Sequence, residues 1–77
     1  MTDTNLLREA IKRSGYRVYY IANSLGVSYP TLQKKIEGRG EFYACEIEAL
    51  TKLLKLTQAE RDRIFFAPCV AETATNN

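Results

Sequence analysis

Residues 20–38 of the chain read YIANSLGVSYPTLQKKIEG, and two helical apolar patterns lie on either side of the glycine at position 26. The first pattern has the i, i+3, i+4, i+7 spacing that places side chains on one face of an α-helix. Its members are Val18, Ile21, Ala22 and Leu25. Because Gly26 can adopt the left-handed conformation that ends a helix, the pattern predicts a short helix that stops there.

A second short helix is predicted directly after this turn. Ser28 is a candidate N-cap, and Pro30 lies in the first turn, where its missing N–H would have no partner in any case. Leu32 and Ile36 form an apolar stripe, and Gly38 ends the helix. The stretch therefore predicts two short helices joined by a tight turn.

Helical patterns continue on both sides of this stretch. Upstream, apolar residues within positions 6–11 have helical spacing, and Gly15 is the natural end of that helix. Downstream, a fourth helix with a poorly capped start follows Phe42. The segment Thr57–Glu60 is a capping box that begins a fifth helix, which Pro68 ends.

The length and composition are those of one small domain, with 77 residues of which 45% are hydrophobic. Because no strand pattern competes with the helices, we expect an all-α, five-helix domain in residues 1–67 and a flexible C-terminal tail in residues 68–77. The sequence contains neither a run of 18 apolar residues nor a basic and apolar leader. We therefore expect a cytoplasmic protein without a membrane partner.

Positive charge is concentrated in the first half of the chain. The formal net charge is only +2, but residues 1–43 hold seven basic and four acidic side chains. Residues 44–77 hold four basic and five acidic side chains. This distribution favours a one-sided basic face of the kind that binds nucleic acid.

The sequence shows no recognisable constellation of catalytic or metal-binding residues. The chain has no histidine and no glycine-rich phosphate loop, so we expect it not to be an enzyme. Cys45 and Cys69 are the only cysteines, and no histidine is present to complete a zinc site. We expect both thiols to be reduced and the protein to need no metal or cofactor.

Residues 20–38 resemble the pattern IAxxLGVSxxTLxxKIxG of phage Cro and repressor-like regulators of the xenobiotic-response-element type. Short Cro-like members are also matched by Glu41-Phe42, Glu46-Ile47 and Ile64-Phe65-Phe66, so the resemblance covers roughly residues 5–67. It implies a five-helix, lambda-repressor-like DNA-binding domain. In such a domain the second and third helices form a helix-turn-helix, and the third helix enters the major groove.

The resemblance also implies a function. We expect a sequence-specific transcriptional regulator that binds double-stranded DNA, of the phage or prophage repressor type. It would act on a partly palindromic operator as a homodimer, which can be weak and form only on DNA. The alternative is a small helical protein-interaction module of the antitoxin or anti-repressor type, since the apolar end of the last helix suits a protein partner equally well.

Three outward residues of the third helix are candidate base contacts. On a helical wheel with Leu32 at zero, Gln33, Pro30 and Lys34 lie at about 100°, 160° and 200°. The Gln33 amide can pair with adenine N6 and N7, and Lys34 can donate to guanine O6 and N7 or to phosphate. Pro30 offers only shape and apolar contact.

Tyr29 is a fourth candidate, at the edge of the apolar stripe. The wheel places it about 60° from Leu32, so it can either pack on the core or contact a thymine methyl or a phosphate. In the family that the sequence resembles, this position usually contacts DNA. The resemblance therefore implies a DNA contact for Tyr29.

Candidate contacts to the DNA backbone lie in and beside the third helix. They are Arg17, Ser28, Thr31, Lys35 and Arg39. Arg17 precedes the second helix and Arg39 follows the third, at places where the family grips phosphates. A plain N-cap role accounts for Ser28 equally well. Such contacts position a protein without reading sequence and make its affinity depend strongly on salt.

Several aromatic residues remain to be placed. We expect core and helix-end packing, rather than a stacking platform for single-stranded nucleic acid, for Tyr16, Tyr19, Tyr20 and Tyr43. Phe65 and Phe66 point about 100° apart on the fifth helix and cannot both face one small core. We therefore assign this pair to a dimer interface, with one ring available to a partner subunit.

Overall fold

The computed structural model describes residues 2–66, which form five α-helices and no strand. The helices are α1 (Thr4–Ser14), α2 (Val18–Leu25), α3 (Tyr29–Ile36), α4 (Ala44–Leu53) and α5 (Gln58–Phe65). The predicted all-α architecture of five helices is confirmed over this range. No helix within it has the length and apolar character needed to cross a membrane. Pro68, Cys69 and the predicted tail lie outside the described residues.

Glycines in the left-handed conformation follow the ends of α2 and α3. Gly26 has φ 75°, and the Val27 N–H donates back to the carbonyl of Ala22 at 3.1 Å. Gly38 has φ 84°, and the Arg39 N–H donates to the carbonyl of Lys34 at 2.8 Å. Each of these bonds satisfies a carbonyl that the end of the helix would otherwise leave without a donor. Since a Cβ on Gly26 would meet nothing within 4 Å, the requirement there is conformational rather than one of space.

The helix starts are capped by side chains close in sequence. The Asp3 carboxylate accepts from the Leu6 N–H at 3.1 Å, and the predicted capping box joins Thr57 and Glu60 through bonds of 2.9 and 3.1 Å. Tyr43 supplies no side-chain cap for α4, as its sequence indicates. The Glu46 carboxylate, one turn into the helix, instead accepts from the Tyr43 N–H at 2.9 Å.

The core joins all five helices in one apolar cluster. Its most deeply buried large side chains come from four helices and are Leu7, Ile21, Leu32 and Leu50. Phe42 and Phe65 close the cluster with an edge-to-face contact at 5.4 Å between ring centroids. Within this arrangement α2 packs on α3 and α4, and α3 also packs on α1. The core-facing sides of α2 and α3 are thus covered, and their other sides face solvent.

Candidate nucleic-acid interface

The first turns of α3 present the predicted base-contacting residues at the surface. Tyr29, Pro30 and Lys34 are exposed, and Gln33 is half-buried. Lys34 forms no salt bridge with any residue of the described part of the chain. Its ammonium is therefore available to an anionic or acceptor-bearing partner.

Tyr29 lies on the surface and not in the core. Its side chain is exposed, and its ring lies 6.1 Å from the ring of Tyr19 on α2. Tyr19 is the more exposed of the two, at 72%. The two rings form an aromatic pair that bridges the outer sides of α2 and α3.

The candidate hydroxyls at the start of α3 bind each other. The Ser28 Oγ accepts from the Thr31 N–H at 3.2 Å, which makes Ser28 the N-cap of the helix. The Ser28 hydroxyl and Thr31 Oγ1 are also hydrogen-bonded at 2.8 Å. Both side chains are exposed, but Ser28 has a structural role that does not require DNA.

Lys35 does not fit its predicted role as a phosphate contact. Its Nζ lies 2.7 and 2.9 Å from the two carboxylate oxygens of Glu46, and both side chains are almost completely buried. The same ammonium lies 4.4 Å from the ring centroid of Tyr43, within cation–π range. The prediction for Lys35 is wrong because this side chain joins α3 to α4 inside the protein.

The two arginines that flank the α2–α3 pair are exposed. Arg17 forms no salt bridge within residues 2–66. Arg39 is held by Glu37, with its Nε 3.0 Å from the carboxylate and its Nη2 bonded to the same oxygen. An exposed pair of this kind contributes little stability, so a phosphate can displace the carboxylate at small cost.

Acidic residues are absent from the segment that contains α2 and α3. Between Glu9 and Glu37 the sequence has no aspartate or glutamate, but it has five basic residues. These are Lys12, Arg13, Arg17, Lys34 and Lys35. Arg13 pairs with Glu60 and Lys35 with Glu46, so Arg17 and Lys34 carry the uncompensated charge beside α3. The exposed side of the α2–α3 pair therefore favours an anionic partner.

The tyrosines outside α3 lie at the surface, so the core packing predicted for them is wrong. Tyr19, Tyr20 and Tyr43 are 72%, 50% and 67% exposed. Tyr16 is also exposed, and its ring lies 5.0 Å from that of Tyr20. They are excluded from the core because smaller aliphatic side chains on the opposite sides of the helices already fill it.

The two phenylalanines at the end of α5 have different environments. Phe65 is 3% exposed and packs in the core, so its assignment to a dimer interface is wrong. Phe66 is 56% exposed, which agrees with the expectation that one of the two rings is free. The guanidinium of Arg61 lies 5.9 Å from the centroid of the Phe66 ring.

Two features of this surface were missed by reasoning from sequence. The exposure of Tyr19 could have been predicted, because on a wheel with Ile21 at zero it lies about 160° away, on the outer side. The Lys35–Glu46 pair had no local signal, since it depends on how α3 crosses α4.

Neither family models, nor curated proteins, nor solved structures yield a match to this chain. The functional proposal therefore depends on the chain's own residues and on the geometry of the α2–α3 pair.

Proposed function

We propose that this chain is a sequence-specific regulator of transcription that binds double-stranded DNA, with α2 and α3 acting as a helix-turn-helix of the lambda-repressor type. One observation carries the proposal. The exposed side of α3 has free basic and amide groups, and the segment from residue 10 to residue 36 has no acidic side chain to repel phosphate. In this mode α3 enters the major groove and α2 crosses the backbone.

The residues divide into those that read bases and those that hold phosphates. Lys34 donates to guanine O6 and N7, and Gln33 pairs with adenine. Arg17, Arg39 and the Thr31 hydroxyl contact phosphates on either side of the groove. The phosphate contacts supply affinity that falls with salt, and the base contacts supply discrimination.

The short length of α3 argues for a homodimer. With a rise of 1.5 Å per residue, eight residues of α3 give a helix of about 12 Å, which spans only a few base pairs. A twofold dimer on a partly palindromic operator doubles the number of bases read and places half-sites about 10 base pairs apart. A phage- or prophage-type repressor is the regulator class that this combination favours.

Selection of bound duplexes from a random pool tests the proposal. We expect enrichment of a partly palindromic sequence that binds more tightly than a scrambled duplex, with an affinity that decreases steeply between 50 and 200 mM salt, as is typical of phosphate-contacting proteins. Lys52→Ala, at an exposed position of α4, is the matched control and should bind like the wild type. Failure to enrich any sequence would contradict the proposal and favour a protein partner.

A further inference from the structure

A shallow hollow lies on the surface between α2 and the start of α3. It is lined by apolar faces from Tyr19, Val27, Tyr29 and Pro30, with Asn23 at its edge. The Tyr19–Tyr29 pair forms one wall of this hollow, and both rings are exposed. We call this feature the tyrosine hollow.

Two backbone donors at the start of α3, beside the tyrosine hollow, are used or missing. Pro30 has no N–H, and the Thr31 N–H donates to the Ser28 hydroxyl. The Ser28 hydroxyl donates to Thr31 Oγ1 at 2.8 Å, which leaves the Thr31 hydroxyl proton for a phosphate. This end of α3 therefore offers the apolar faces of Tyr29 and Pro30 to a base pair.

The position of the hollow determines what it can meet on DNA. In a helix-turn-helix complex the N-terminal residues of the second helix contact base edges in the major groove. Tyr29 and Pro30 are the first two residues of α3. The C5 methyl of thymine is the apolar group that distinguishes base pairs in that groove.

We infer that the tyrosine hollow receives the C5 methyl group of a thymine in each half-site, and so specifies a T·A pair that Lys34 and Gln33 do not read. The inference rests on the proposed function, because the hollow can contact a base edge only when α3 lies in the major groove. The DNA that carries the methyl group can approach this end of α3, since no acidic residue within the segment 10–36 repels its phosphates.

Replacement of thymine by uracil in the selected operator is the test. This change removes only the methyl group and keeps the Watson–Crick pairing and the O4 acceptor. We expect one thymine per bound chain at which the replacement weakens wild-type binding about fourfold, the effect of removing one buried methyl-sized group. Tyr29→Ala and Tyr19→Ala should bind the thymine and uracil duplexes equally, whereas Tyr29→Phe should still distinguish them because it keeps the ring.

Tyr20→Ala is the matched control, since it removes an exposed α2 tyrosine whose ring lies on Tyr16 and not in the hollow. It should retain the fourfold preference, and circular dichroism should show native helix content for every variant. A specific operator without a methyl-sensitive thymine, or a preference lost equally in Tyr20→Ala, would overturn the inference and leave the proposed function standing. A selection that enriches no duplex would overturn both.

Discussion

Adjacent lysines on α3 have opposite environments. Lys34 is exposed, whereas Lys35 is buried against Glu46. One position along a helix turns the side chain by about 100°, which is enough to move it from solvent to the interface with α4. Charge counts along the sequence treat the two residues alike, but only Lys34 can meet an external anion.

The outward residues of α3 should control base preference. Replacing Lys34 or Gln33 by alanine removes a base contact, so we expect a loss of about 1–3 kcal/mol on the selected operator and a smaller loss on random DNA. Arg39→Ala should weaken binding to all sequences alike and reduce the salt slope by about one. Quantitative mobility-shift titrations on both duplexes check this, and equal losses on specific and random DNA for all three variants would refute the division of roles.

Glu60 should make stability depend on acid pH. The Thr57 N–H donates to its carboxylate, and with Arg13 nearby this lowers the pKa of Glu60 below its ordinary value of 4.5. A carboxyl whose folded-state pKa is lowered stabilises the fold fully above its unfolded pKa and loses that contribution as pH falls through the folded value.

We therefore expect the thermal midpoint of the wild type to fall between pH 5 and pH 3 more steeply than that of Glu60→Gln. Glutamine keeps an oxygen for the cap but does not titrate. Melting curves followed by circular dichroism over this pH range compare the two proteins. Glu48→Gln is the control, because its exposed carboxylate lies 4.0 Å from the Lys52 ammonium and takes no part in a cap. Parallel pH profiles for Glu60→Gln and the wild type would show that the cap does not carry the effect.

At the scale of the helices, one buried carboxylate has two structural roles. Glu46 accepts the Tyr43 N–H at the start of α4 and both of its oxygens bind the Lys35 ammonium. The Glu46 carboxylate thus both caps the start of α4 and fixes the orientation of α3 relative to α4. Removing one partner of such a pair leaves an uncompensated charge inside the protein.

Glu46→Gln keeps an acceptor for the Tyr43 amide but leaves Lys35 without a counter-charge, so we expect a loss of about 2–3 kcal/mol in the free energy of unfolding. The double variant Lys35→Met with Glu46→Gln should recover most of this loss. Urea denaturation measures both effects. The double variant should also keep the wild-type salt slope on DNA, and a slope reduced by about one would mean that Lys35 contacts phosphate after all.

Helices and their ends were predictable because their signals are local. Glycines at left-handed positions, Ser28 and the Thr57–Glu60 box act within one turn of the chain, and a helix boundary lies at or within two residues of each of them. The candidate site was predictable only in part. Lys35 and Tyr29 both lie about 60° from Leu32 on the wheel, yet one is buried and the other exposed, because Glu46 on α4 neutralises the first.

For the whole molecule, the exposed ring at the end of α5 is the best candidate for contact between two copies. Phe66→Ser should leave helix content unchanged, because the ring is 56% exposed. We expect it to weaken binding to the full operator about tenfold or more while binding to a single half-site is kept, since only the link between copies is lost. Footprinting measures how many half-sites are covered, and titration measures how many chains bind each duplex. A wild-type footprint on one half-site, with one chain per duplex at saturation, would rule out the dimer.

The beginning of the described chain is bonded to its end. The Asp3 N–H donates to the carbonyl of Ile64, so residues 2 and 66 lie on the same side of the molecule. In a chain shortened to residues 2–66, a short glycine-rich linker can therefore join them, and the chain can be opened instead at the exposed loop around Arg39 and Glu41. Such a circular permutant would keep every helix and the core while placing the new termini next to α3. The order of the helices along the chain is thus separable from the shape that they form together.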